Sequence, residues 1–142
     1  MQSLKACKWL CGGLICICLA QALYIYLASE KVIQPTRVIS SVNVDEGGAI
    51  YEVLYDSGGA TVPFIYRYYL LARQSNMGEV LERVKMTRPF LVTKSTAAVQ
   101  SVMQDRVKLI VTDTIYDYNN IAFYKVNGKI KIIKFDLDSK MP

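Results

Sequence analysis

Asp56-Ser57-Gly58-Gly59 carries the letters that surround the nucleophile in one class of serine proteases. Chemistry of that kind needs a base to take the serine proton, ordinarily a histidine held by a carboxylate. The chain contains no histidine. It also lacks the usual glycine before Asp56 and has Ala60 where proline would follow. A serine–lysine pair would be a chemical alternative, but no lysine is singled out as the base. Asp, Ser and Gly each favour turns for a reason of their own. The stretch therefore reads as a turn between two strands, and Ser57 is not a nucleophile.

Other reactive constellations fail on the same count of residue types. All four cysteines, Cys7, Cys11, Cys16 and Cys18, lie in or beside an apolar run and read as small hydrophobic residues. Without histidine or further cysteine the usual zinc and transition-metal ligands are missing. Asp136 and Asp138 alternate near the terminus, and Asp113 and Asp117 flank Tyr116, but neither set has calcium-loop spacing. The glycine pairs at 47–48 and 58–59 lack the lysine and following helix of a phosphate loop. The sequence thus points to a non-enzymatic protein with no catalytic residues, no cofactor, no metal and no evident small-molecule substrate.

Residues 9–28, WLCGGLICICLAQALYIYLA, contain no charge. As a helix they would extend about 30 Å, the hydrocarbon thickness of a bilayer. Tyr24 and Tyr26 fall where aromatic rings prefer the headgroup boundary. The competing reading is a cleaved signal peptide with Ala20-Gln21-Ala22 as its site. Because the apolar run continues past that site, an uncleaved anchor at 1–29 is the expectation, followed by a linker at 30–36 and one domain at 37–142. Lys5 and Lys8 precede the run and weakly favour the N-terminus inside, with the domain periplasmic or otherwise extracytoplasmic.

That domain has no cysteine, so it needs a core of its own rather than disulfides. Net charge is +5, and every acidic residue lies beyond Ser29. Scattered positive charge without a basic stripe argues against nucleic acid as a partner. Residues 37–44 and 49–55 read as strands around a turn at 45–48. Residues 62–73 read as a third, long strand of the same meander. Asn76 with Glu79 suggests a capped short helix, and 89–94 a strand beginning at Pro89. Residues 95–105 read either as a helical turn capped by Ser95 or as a loop. A strand from Arg106 runs through Val111, with Tyr116 as its alternative end. Asn127-Gly128, the pair demanded by a two-residue type I′ turn, joins two strands in a hairpin. Lys125, Lys129, Lys131 and Lys134 suit its solvated face or a charge-protected edge. The fold class expected is mostly β (or α+β): a transmembrane helix, then a small antiparallel β-meander domain with one or two short helices.

Eight tyrosines lie beyond the anchor, on strands or their ends. They fit cross-strand packing and, for some, a partner-binding face, since Tyr and Arg are enriched at hot spots. The candidates are Arg67, Tyr69 and Arg73 on one strand face, with Tyr66 and Tyr68 beside them. The acidic-glycine turn in NVDEGGAIYEV, GGATV leading into an aromatic strand, and DRVKLIVTDTIYDY resemble small bacterial single-pass membrane-anchored proteins of unknown function. Those carry an SPDG-type turn where this chain has Val44-Asp45-Glu46-Gly47. The resemblance spans residues 42–118 and implies a β-rich extracytoplasmic domain without catalytic residues. Two roles fit these features. One is an immunity protein that binds a toxin acting in the cell envelope. The other is an accessory subunit of a larger inner-membrane complex, held through the glycine- and cysteine-bearing helix.

Overall fold

Positive φ sets the tight corners of the chain. Gly47 (83°), Gly58 (75°), Asn127 (48°) and Gly128 (74°) all adopt it, a region that costs glycine little and asparagine less than most residues. The computed structural model describes residues 2–27, 33–45, 47–56, 58–59 and 63–140. Two compact units result, residues 1–32 and 33–142.

The first unit is helix α1 (Gln2–Leu27). Its Lys8–Leu27 stretch is long and apolar enough to cross a membrane. The second unit is mostly β, with strands β1 (Arg37–Val44), β2 (Gly48–Tyr55) and β3 (Ile65–Ala72) forming an antiparallel meander. Helix α2 (Met77–Lys85) follows, then β4 (Leu91–Thr93), β5 (Val99–Met103), β6 (Arg106–Val111), β7 (Ile115–Tyr118), β8 (Ile121–Val126) and β9 (Lys129–Ser139). The first sheet has the order β1-β2-β3-β4-β7, the second β5-β6-β9-β8. Pairings are antiparallel except β6 with β9, which is parallel.

Three layers follow from side-chain alternation in the first sheet. Strand β2 is buried along its whole length. Ala49, Tyr51, Val53 and Tyr55 face α2 together with Tyr69 and Leu71 of β3, and α2 closes over them with Val80 and Val84, one turn apart. Ile50 of β2 with Tyr68 and Leu70 of β3 face the other way, against Val107, Leu109, Ile133 and Phe135 of the second sheet. Phe90 stacks on Phe135 with ring centroids 3.8 Å apart.

Local chemistry explains the ends of these elements. Asn76 caps α2 by accepting from the Gly78 N–H at 2.8 Å, the role that residue type favours. The Gly58 N–H donates to the Asp56 carboxylate at 2.8 Å and Gly58 takes a positive φ, the local chemistry by which these residue types favour turns. Ser57 and residues 60–62, which include the end of the GGAT segment, lie outside the described residues.

Four expectations need correction. Residues 95–105 are not helical: Ser95 is buried rather than capping, and 99–103 pair with β6. Ala97 (φ 52°) and Gln104 (φ 50°) make the flanking turns without glycine, so the usual turn letters are absent. The strand from Arg106 runs through Val111 as expected but does not extend to Tyr116, because the chain crosses between sheets before β7. The third strand occupies 65–72 rather than 62–73, and the strand expected at 89–94 from Pro89 covers only Leu91–Thr93.

Candidate functional site

Strand β3 sends alternate residues to opposite sides, which disperses the five residues expected to bind a partner. Tyr69 is 1% exposed beneath α2, and Tyr68 is 1% exposed between the sheets. Tyr66 is half-buried against the same inter-sheet core as Tyr68. Arg67 shares the Tyr69 side, where its guanidinium lies 4.1 Å from the centre of the Tyr55 ring, a cation–π distance. The Arg67 Nε is buried without a hydrogen-bond partner. Arg73 is exposed just past the strand end, its backbone N–H donating to the Gly47 carbonyl. The five share no surface, and Tyr68 and Tyr69 serve packing.

Both buried phenols resist ionisation. Desolvation raises the pKa of Tyr69, the hydrogen bond with the Tyr55 hydroxyl (2.8 Å) adds to this, and Arg67 opposes it. Tyr68 is raised by desolvation first, opposed by the Ala98 N–H, with the nearby Glu52 charge adding. A phenol whose folded pKa lies above its unfolded value leaves stability intact below about pH 10. Stability then falls as pH rises, because the unfolded phenols ionise first. Thermal melts between roughly pH 8 and 12 should show that decline, with a shallower slope in Tyr69→Phe; identical slopes would refute this origin.

Two other features present candidate sites. The first is the outer face of the β8–β9 hairpin. Ile121 and Phe123 of β8 project there beside Ile130 and Ile132 of β9, with Phe123 opposite Ile132. All four are exposed, Phe123 by 69% and Ile130 by 66%. Lys125, Lys134 and Arg106 border them; Arg106 is paired with Asp136 at 3.1 Å. Of the hairpin lysines expected on a solvated face, Lys131 is half-buried, 3.8 Å from Asp45. The apolar letters on both faces of this hairpin were the available sign: Ile121 and Phe123 alternate with Ala122, Tyr124 and Val126.

The second feature is a carboxylate inside the fold. Glu52 is 2% exposed and lies opposite Tyr68 across the β2–β3 pair. A bulge in β1 between Val38 and Ser40 sets Ser40 opposite Glu52, and the Ser40 hydroxyl donates to Glu52 Oε2 at 2.7 Å. The Ala97 N–H donates to both carboxylate oxygens at 3.3 Å. The Tyr68 hydroxyl donates to the Ser95 carbonyl at 2.9 Å and accepts from the Ala98 N–H at 3.2 Å. A cavity of about 230 Å³ adjoins Glu52, walled by Val42, Ile50 and Val99. The sign in the sequence was one acidic letter inside the apolar run AIYEVLY.

The remaining carboxylates that sequence considered are at the surface. Asp117 pairs with Arg88, Asp136 with Arg106, and Asp113 accepts from Thr114. No group of three or more potential metal ligands occurs among the described residues. No family model matches this sequence, and neither curated proteins nor solved structures provide a significant match.

Proposed function

We propose that the chain is a membrane-anchored, non-enzymatic binding protein of the cell envelope, whose domain captures another protein through the outer face of the β8–β9 hairpin. The observation that carries this reading is the exposed quartet Ile121, Phe123, Ile130 and Ile132. Apolar side chains grouped on one sheet face and rimmed by charge are characteristic of interaction sites. Lys125 and Lys134 have no carboxylate within salt-bridge distance among the described residues. They therefore favour a partner with an apolar centre and an acidic rim. Asp136 and Asp138 lie on the same sheet face beside Arg106 and Lys108, a mixed-sign pattern that a protein surface can match charge for charge. In its most concrete form the partner is a toxin acting in the envelope, and the chain is the matching immunity protein. The apolar Lys8–Leu27 helix supports the anchor in this arrangement, with the domain on the extracytoplasmic side.

The test is affinity capture from detergent-solubilised membranes with the full chain, Phe123→Asp and the double variant Lys125→Glu/Lys134→Glu. One acidic partner should be recovered by the parent and lost by at least about tenfold in both variants, as expected at the centre and rim of an interface. Thermal stability of Phe123→Asp should stay within roughly 0.5 kcal/mol, as for surface changes generally. Equal recovery by all three proteins would overturn the assignment of this face. Variant-sensitive binding to anionic vesicles, with no protein captured, would replace the protein partner by a lipid surface.

A further inference from the structure

Glu52 presents a problem of charge that its neighbours only partly answer. A carboxylate taken out of water is costly unless it is paired or fully hydrogen-bonded. Its two oxygens offer about four lone-pair sites. One is well used by the Ser40 hydroxyl, and the Ala97 N–H is stretched between both oxygens. The Tyr68 hydroxyl has one proton, directed at the Ser95 carbonyl at 2.9 Å and shared with Glu52, which lies within its hydrogen-bonding reach. No lysine or arginine reaches Glu52 among the described residues. What adjoins it instead is space.

The backbone around that space is irregular on both sides. The β1 bulge aims Ser40 at the carboxylate, and a second bulge interrupts β5 between Val99 and Ser101. Bulges recur beside binding sites because they re-aim side chains. Ala97 holds a left-handed φ of 52°, a conformation that costs a residue with a Cβ and here presents its N–H to Glu52. The cavity lies between β1, at one edge of the first sheet, and β5, at one edge of the second. Strand β8 forms the opposite edge of that second sheet, so this site is separate from the docking face and stands independently of it.

We infer that this cavity binds an alkylammonium group, with the charged head on Glu52 and Ser40 and the aliphatic stem against Val42, Ile50 and Val99. At about 230 Å³ it is below the size of pockets for drug-sized ligands, and it suits one aminoalkyl chain. The same chemistry is offered by a small free amine and by the side chain of a protein-borne lysine. Apolar walls with a single acidic end also reject the isosteric alcohol, which carries no charge to set against the carboxylate.

The test is an NMR titration of the full chain in detergent with butylammonium chloride, with butanol as the neutral control. Butylammonium should shift the amides of Ser40, Ala97 and Val99 in a saturable way, and butanol should not. Glu52→Gln keeps the size and the acceptor oxygen, and should weaken butylammonium by about tenfold or more, as loss of a charged hydrogen-bond partner implies. N-acetyl-lysine methylamide binding more tightly than butylammonium would assign the site to a protein-borne lysine; the reverse order would assign it to a free amine. Absence of saturable shifts, equal shifts with butanol, or unchanged affinity in a folded Glu52→Gln would overturn the inference. If Glu52→Gln does not fold, the comparison of amine with alcohol on the parent chain decides alone.

Discussion

Replacing Tyr69 by alanine is expected to destabilise the domain by roughly 3–5 kcal/mol, the usual cost of deleting a buried aromatic side chain. Tyr69 is 1% exposed and packs among Tyr51, Val53, Val80 and Val84, where α2 crosses the first sheet. Truncation opens a cavity beneath a helix of nine residues that is held on the sheet through this same cluster. It also leaves the Tyr55 hydroxyl without its 2.8 Å partner inside the fold, a further penalty for a buried polar group. A melt of the full chain in detergent should drop by on the order of 15 °C. Tyr69→Phe keeps the ring and loses the hydroxyl, so it should cost only about 1 kcal/mol. A Tyr69→Ala protein that melts with the parent would contradict the burial of this residue. The distinction matters for function. Loss of a partner in Tyr69→Ala would report unfolding, whereas loss in Phe123→Asp would report the surface.

What could be read from the letters was local. Asn127-Gly128 specified its own hairpin, because the type I′ turn needs positive φ at both positions and these residues tolerate it. Asn76 announced α2 and Gly58 its turn for similarly short-range reasons. Pairings set by distant partners could not be read. The parallel alignment of β6 with β9 joins Val107 to Phe135 across the intervening β7 and β8, and no nearby residue signals it. Residues 95–105 looked helical or loop-like because Ala97 and Gln104 turn the chain without glycine, and only pairing with β6 makes 99–103 a strand. The candidate sites follow the same division. Tyrosine composition drew attention to β3, yet alternation alone could not say that both of its faces are covered, one by α2 and one by the second sheet. Glu52 became conspicuous only when the β1 bulge brought Ser40 within 2.7 Å of it.

Gly48→Ala should cost the domain roughly 1–3 kcal/mol, the range for forcing extra atoms into a packed core. The reason is close approach rather than φ. A Cβ at Gly48 would stand 2.5 Å from Tyr124 Cζ, 2.9 Å from Tyr124 Cε1 and 2.8 Å from Val44 Cγ2. None of these is the loose end of a mobile chain. Tyr124 is buried, and its hydroxyl, at 3.4 Å from the Asp45 carbonyl, is tied to the turn preceding Gly48. To admit the methyl group, the Tyr124 ring must move off the first sheet and give up that contact. Tyr124→Leu removes the ring atoms that collide, so in the double variant the two costs should sum to less than their separate values, a coupling that a double-mutant cycle measures. Full additivity would place the strain elsewhere. Gly58→Ala provides the contrast, since its added Cβ would meet nothing within 4 Å and only the left-handed φ of 75° would resist it. The consequence for binding follows from strand alternation. Tyr124 faces inward on the strand whose outward residue is Phe123, so displacing Tyr124 shifts the strand that presents the apolar quartet. Gly48→Ala should therefore weaken partner capture from inside the fold while leaving every residue of the docking face unchanged.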